Sequence, residues 1–89
     1  MKKITMFTMA SCPYCQAALH WMEELLAENP AYKSLEIEKI DELVRPDIAE
    51  QYDYYYVPTF YVGGKKLHEG AASLKKIQRV LDAAMDIRA

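Results

Sequence analysis

The only two cysteines of the chain, Cys12 and Cys15, are separated by Pro13 and Tyr14, and this stretch stands where an apolar run gives way to an amphipathic one. Two thiols at that spacing can bridge without straining the backbone if they lie at the start of a helix, one turn apart. That requirement fixes the local structure to a strand, a tight junction and a helix. An 89-residue chain with no further cysteines has no disulfide framework to lean on, so regular packing must hold it, and one unit spanning 1–89 is expected.

The flanking pattern agrees. Lys2 to Thr8 reads as a first strand, with Ile4 and Met6 toward one face and Phe7 and Met9 toward the other, as in a strand covered on both sides. From Pro13 to about Glu28 the apolar residues Ala18, Trp21 or Met22, and Leu25 recur at the helical step, with Leu19, Met22 and Leu26 widening the stripe. Asn29-Pro30 stops the helix, because the residue before a proline avoids the helical region. Leu35 to Ile40 is a second strand, and a strand–helix–strand unit of this length predicts a parallel pair. Pro46 opens a short helix through about Tyr52, with Ile48 and Tyr52 on one face. Thr59 to Val62 and Lys65 to Glu69 are two strands joined by Gly63-Gly64 as a hairpin turn. Ser73 caps a final helix whose apolar face is Leu74, Ile77, Leu81 and Ala84. The order is βαβαββα.

Cys12 falls at the N-cap of the first helix and Pro13 at its first position, where a missing N–H costs nothing. The unpaired amides of Tyr14 and Cys15, with the helix dipole, favour a sulfur anion at Cys12. A thiolate is the form that attacks a disulfide. Cys15, one turn further in, is expected to be more enclosed and to act as the resolving thiol. Zinc would need two more ligands, and only His20 and His68 could supply them; His20 points elsewhere on the same helix. A net charge of −2 argues against nucleic acid as a partner, since phosphate binding wants clustered cations. The apolar run after Lys2-Lys3 is too short for a cleaved leader, and no run of ~18 apolar residues spans a membrane, so no membrane partner is expected and the expected location is cytoplasmic.

Cys12-Pro13-Tyr14-Cys15 at a strand-to-helix junction, together with Val57-Pro58-Thr59-Phe60 before a strand, resembles the glutaredoxins and small glutaredoxin-like proteins of the thioredoxin fold. The resemblance runs from Ile4 to the last helix. It implies an α/β, thioredoxin-like (glutaredoxin-type) fold, a four-stranded mixed sheet flanked by three helices. It implies a dithiol–disulfide oxidoreductase serving cell redox homeostasis, with Cys12 as nucleophile and Cys15 as resolving thiol. The Val57–Pro58 bond is then cis, and Val57 exposes its backbone beside Cys12 for a substrate peptide to pair with. Tyr14 and Tyr56 join Val57 and Pro58 as substrate-binding positions. Substrates would be protein or small-molecule disulfides, and a monomer with no bound cofactor is expected.

Two positions depart from the family pattern. Glutathione-using members usually carry Lys or Arg where this chain has Met9, and Gly-Gly with acidic residues where it has His68-Glu69-Gly70-Ala71-Ala72. The co-substrate electrons are therefore expected from glutathione or from a flavoprotein reductase of the thioredoxin reductase kind. The Val-Pro-Thr-Phe stretch and the glycine turn read as much like thioredoxin as glutaredoxin. The alternative function is a dimer-bridging iron–sulfur module, built in some relatives from the first cysteine of each subunit and two glutathiones.

Three further groups are open to a functional or a plain reading. The run Tyr54-Tyr55-Tyr56 is expected to bury one ring and expose another. His68 and Glu69, at the end of the fourth strand, either handle protons or substrate charge or are a solvated strand end. Lys65 and Lys66 read as a solvated edge that discourages aggregation.

Overall fold

A computed structural model describes residues 1–85; the last four positions of the expected 1–89 unit lie outside the described residues. Its elements are β1 (Ile4–Thr8), α1 (Pro13–Glu28), a 3₁₀ turn (Pro30–Ser34), β2 (Ile37–Asp41), α2 (Pro46–Ala49), β3 (Thr59–Val62), β4 (Lys65–Glu69) and α3 (Leu74–Met85). They form the expected four-stranded mixed sheet with three helices, in the order β2-β1-β3-β4.

Strand β1 is central and all five of its residues are buried. It runs parallel to β2, with Ile4 beside Ile37 and Thr8 beside Asp41, and antiparallel to β3, with Phe7 beside Thr59. Its two faces feed two cores. Ile4 and Met6 join Phe60 and Val62 under Ala18, Met22 and Leu25 of α1 and Ile77, Val80, Leu81 and Ala84 of α3. Phe7 turns to the other side and meets Ile40 and Tyr61, closed over by Ile48, Tyr52 and Tyr54. The register brings the end of β1, the end of β2 and the start of β3 to one edge of the sheet. Residues 9–12, 42–45 and 54–58 leave from that edge.

The elements differ from the sequence pattern in four places. The helix after Pro46 stops at Ala49 rather than near Tyr52, yet Ile48 and Tyr52 still share one core. β2 starts at Ile37, two residues late, although Leu35 is buried. Leu74 is 40% exposed, and Val80 joins Ile77, Leu81 and Ala84 in the core in its place. The 3₁₀ turn carried no periodic signal; it buries Tyr32, whose hydroxyl donates to Asp82 of α3. At the hairpin both glycines have positive φ, 57° and 86°, as a tight two-residue turn requires.

The corrected face of α3 separates two substitutions. Ile77→Val should cost about 0.5–1.5 kcal/mol in urea denaturation, as a methylene lost from a fully buried site. Leu74→Ala should stay within about 0.5 kcal/mol of the parent, as an exposed site does. The reverse ranking would contradict this packing.

Candidate active site

Every element that reaches the cysteines leaves from the edge at which β1 ends. The turn after β1 is closed by the Cys12 amide, which donates to the Met9 carbonyl at 3.0 Å. Asp41, at the end of β2, accepts from the Ala10 amide at 3.2 Å and from the Leu43 amide at 2.9 Å. Gln16 donates to the Ala10 carbonyl at 3.0 Å. Asp41 and Gln16 thus clasp the loop before Cys12 from both sides. Asp41 carried no functional reading in the sequence; its signal is an acidic residue at a strand end, where its side chain can turn the following backbone.

Cys12 is the N-cap of α1 and Pro13 its first residue, as the sequence implies. The expected amide cradle for the sulfur is not formed. The Cys15 amide donates to the Cys12 carbonyl at 3.1 Å, shared with the Gln16 amide, and no cap bond reaches the thiol. The Cys12 thiol instead donates to the Val57 carbonyl at 3.9 Å. That is a long bond from a weak donor. Its importance is positional: it seats the sulfur against the loop that leads into Pro58.

Cys15 is deeper, at 1% exposure against 8% for Cys12. Burial, first of all, pushes its thiol up to about 12 from an ordinary 9.0, and contact with Cys12 adds to the effect against the Met9 amide, which opposes it. Both cysteines are free thiols. The Val57–Pro58 bond is cis and Pro58 is fully buried. Four of the sequence-derived positions, Cys12, Cys15, Val57 and Pro58, therefore meet. Tyr14 and Tyr56, the chain neighbours of Cys15 and Val57, are 62% and 70% exposed.

The tyrosine run divides as expected, with Tyr54 inside and Tyr55 and Tyr56 outside. Tyr54 stacks on Phe7 with centroids 4.8 Å apart and donates to Glu42 at 2.9 Å. Burial and that carboxylate raise its phenol above the ordinary range. The end of β4 differs from both readings given it. Glu69 accepts from the amides of Tyr55 and Tyr56, the latter at 2.9 Å, and pairs with Lys66 at 2.7 Å. Lys66 is accordingly not a merely solvated edge residue. His68 places Nε2 at 3.0 Å from the carbonyls of both Gly70 and Ala71, so that nitrogen carries the hydrogen and is committed to backbone. Among the described residues no group of three or more His, Cys, Asp or Glu side chains is placed to hold a metal, and no helix is long and apolar enough to cross a membrane.

The chain matches the family model of the thioredoxin domain over residues 2–82. It is 37% identical over 62 residues to a thioredoxin of Methanocaldococcus jannaschii, covering 70% of this chain and 71% of that one. It is 29% identical to a probable thioredoxin of Methanothermobacter thermautotrophicus over 93% of this chain and 95% of that one. Among solved structures it is similar to a malarial protein, with a TM-score of 0.73 at 16% identity over 96% of this chain and 98% of that one. A thioredoxin-like protein superposes with a TM-score of 0.54 at 24% identity, covering 89% and 99% of the two chains.

The Lys66 ammonium, and then the two tyrosine amides, draw the Glu69 carboxyl down to about 2 from an ordinary 4.5. A carboxyl lowered on folding contributes stability that is complete above its unfolded value and lost as pH falls through the folded one. Protection of the Tyr55 and Tyr56 amides from hydrogen exchange should therefore fade between pH 4.5 and about 2. Protection factors that stay level across that window would contradict the assignment.

Proposed function

The chain belongs to the thioredoxin-domain family, and from that premise we propose that it is a dithiol–disulfide oxidoreductase using the couple Cys12–Cys15. The observation that carries the reading is the pairing of the two thiols at the start of α1 with the Cys12 sulfur seated against Val57, next to the cis Val57–Pro58 bond.

In the first step the Cys12 thiolate attacks one sulfur of a target disulfide. The target S–S bond breaks, a mixed disulfide forms, and the departing sulfur leaves as a thiolate that takes up a proton. In the second step Cys15 gives up its proton and attacks the Cys12 sulfur. The mixed disulfide breaks, the reduced product departs, and Cys12–Cys15 is left oxidised after the transfer of two electrons. Burial keeps Cys15 protonated until this point, and the second substrate sulfur, displaced here as a thiolate, takes up the proton that Cys15 gives up. The half-buried Val57 backbone is placed to pair with an extended substrate segment, and the exposed rings of Tyr14 and Tyr56 offer apolar surface on either side, which favours protein disulfides. The cycle requires no resident cofactor.

The motif Cys-Pro-Tyr-Cys points toward glutaredoxins, whereas the relatives are named thioredoxins. Met9 offers no cation, and His68 and Glu69 are already engaged with backbone. These features favour a flavoprotein reductase over glutathione as the electron source.

Cys12→Ser should bring reduction of a protein disulfide to background, and Cys15→Ser should trap a mixed disulfide visible by mass spectrometry. Equal loss of the first attack in both variants would refute the roles. The oxidised protein should turn over with NADPH and thioredoxin reductase and lag with glutathione and glutathione reductase; the opposite preference would overturn the choice of donor.

A further inference from the structure

Strand β4 contains an irregularity with a consequence for the Tyr55–Val57 backbone. Tyr61 of β3 pairs with Lys66 and Phe60 with His68, so Leu67 is an extra residue with no partner of its own. Residues three apart in a regular strand face opposite sides of the sheet. The bulge at Leu67 cancels that alternation. Lys66, opposite Tyr61, and Glu69, opposite Thr59, come to the same face, and their side chains meet at 2.7 Å. Lys66 also donates to the Asp53 carbonyl at 3.2 Å, at the entrance of the tyrosine loop. Tyr61 donates to the same carbonyl at 2.7 Å.

The second carboxylate oxygen of Glu69 gathers the amides of Tyr55 and Tyr56. These residues are 84% and 70% exposed, so side-chain packing does little to fix this stretch of backbone. A charge-assisted bond to each amide takes its place, and such bonds are roughly twice as strong as neutral ones. Past Val57, the Pro58 carbonyl is held by the Gly70 amide at 2.8 Å, one residue beyond Glu69. Both ends of the loop are thus tied to the end of β4. Between the ties lies the Val57 carbonyl that meets Cys12.

We infer that the Leu67 bulge and the Lys66–Glu69 pair form a positioning device that sets the Tyr55–Val57 backbone beside Cys12 and thereby governs affinity for protein disulfides. The inference about affinity rests on the oxidoreductase reading. Glu69 is a positioning residue: its carboxylate is committed to the loop, and it acts through the Val57 backbone.

The test compares Glu69→Ala and Glu69→Gln in the full chain, with insulin disulfides as substrate and hydrogen exchange as a second readout. Loss of two charge-assisted bonds should raise KM for insulin about tenfold in Glu69→Ala, with kcat within about twofold. Glu69→Gln keeps a carbonyl acceptor for the two amides but loses the charge and the Lys66 pair, and should recover only part of that loss. Exchange at the Tyr55 and Tyr56 amides should quicken by about tenfold or more in the alanine variant and much less in the glutamine variant. An unchanged KM in Glu69→Ala, or equal losses in both variants, would overturn the inference. If the parent protein reduces no disulfide, the oxidoreductase reading fails by itself. The exchange measurement then decides the positioning device, which falls if the two amides exchange alike in parent and alanine variant.

Discussion

Strand β1 is hydrogen-bonded along both edges and buried on both faces, and this double constraint determines where the chain can next go. Its parallel register with β2 and antiparallel register with β3 put Thr8, Asp41 and Thr59 at one edge of the sheet. The turn that follows must climb from that edge onto the face where α1 packs. Cys12 is the residue at which the climb becomes a helix, so it comes to rest against the loop entering β3. Asp41 and Glu69 then secure the two loops that flank it, one from each neighbouring region of the sheet. A substitution that shifted β1 by one residue would exchange its faces, burying Thr5 and Phe7 where Ile4 and Met6 belong, and would displace the cysteines with them.

The chemical asymmetry of the two thiols follows from the same geometry. One turn of helix separates a sulfur that keeps some exposure from one that is almost wholly buried. Burial holds the inner thiol neutral, while the outer one faces a carbonyl and the open side of the loop. The helix start contributes direction more than cradling. Of the two amides expected at the outer sulfur, that of Cys15 is taken by the Cys12 carbonyl and no cap bond reaches the thiol, while Pro13 supplies the fixed φ that begins the first turn.

Much of this was legible in the sequence wherever a residue carries a strong local signal. The bounds of α1, β3 and β4 followed from apolar period, proline and the paired glycines. The two faces of β1 could be read from Ile4, Met6 and Phe7 alone. The cysteine motif and the Val-Pro-Thr-Phe stretch located four residues that do meet. Interactions that depend on register or on tertiary placement stayed hidden. Leu74 fits a helical stripe yet stays 40% exposed at the start of α3, and Tyr32 has no periodicity to mark it as core. Lys66 and Glu69 look like opposite-facing residues of one strand, because nothing in the local sequence announces the unpaired Leu67. Glu69 and Asp41 were missed as supports of the site for the same reason: each binds backbone amides from a segment that is distant in sequence or lies around a turn.

The central claim is that the outer sulfur reacts and the inner one waits, and it is tested most directly by asking which cysteine a small electrophile finds first. The reduced parent protein, treated with a sub-stoichiometric amount of iodoacetamide at neutral pH and mapped by peptide mass spectrometry, should carry the label on Cys12 in excess over Cys15 by about tenfold or more. Equal labelling, or a label that falls first on Cys15, would contradict the account.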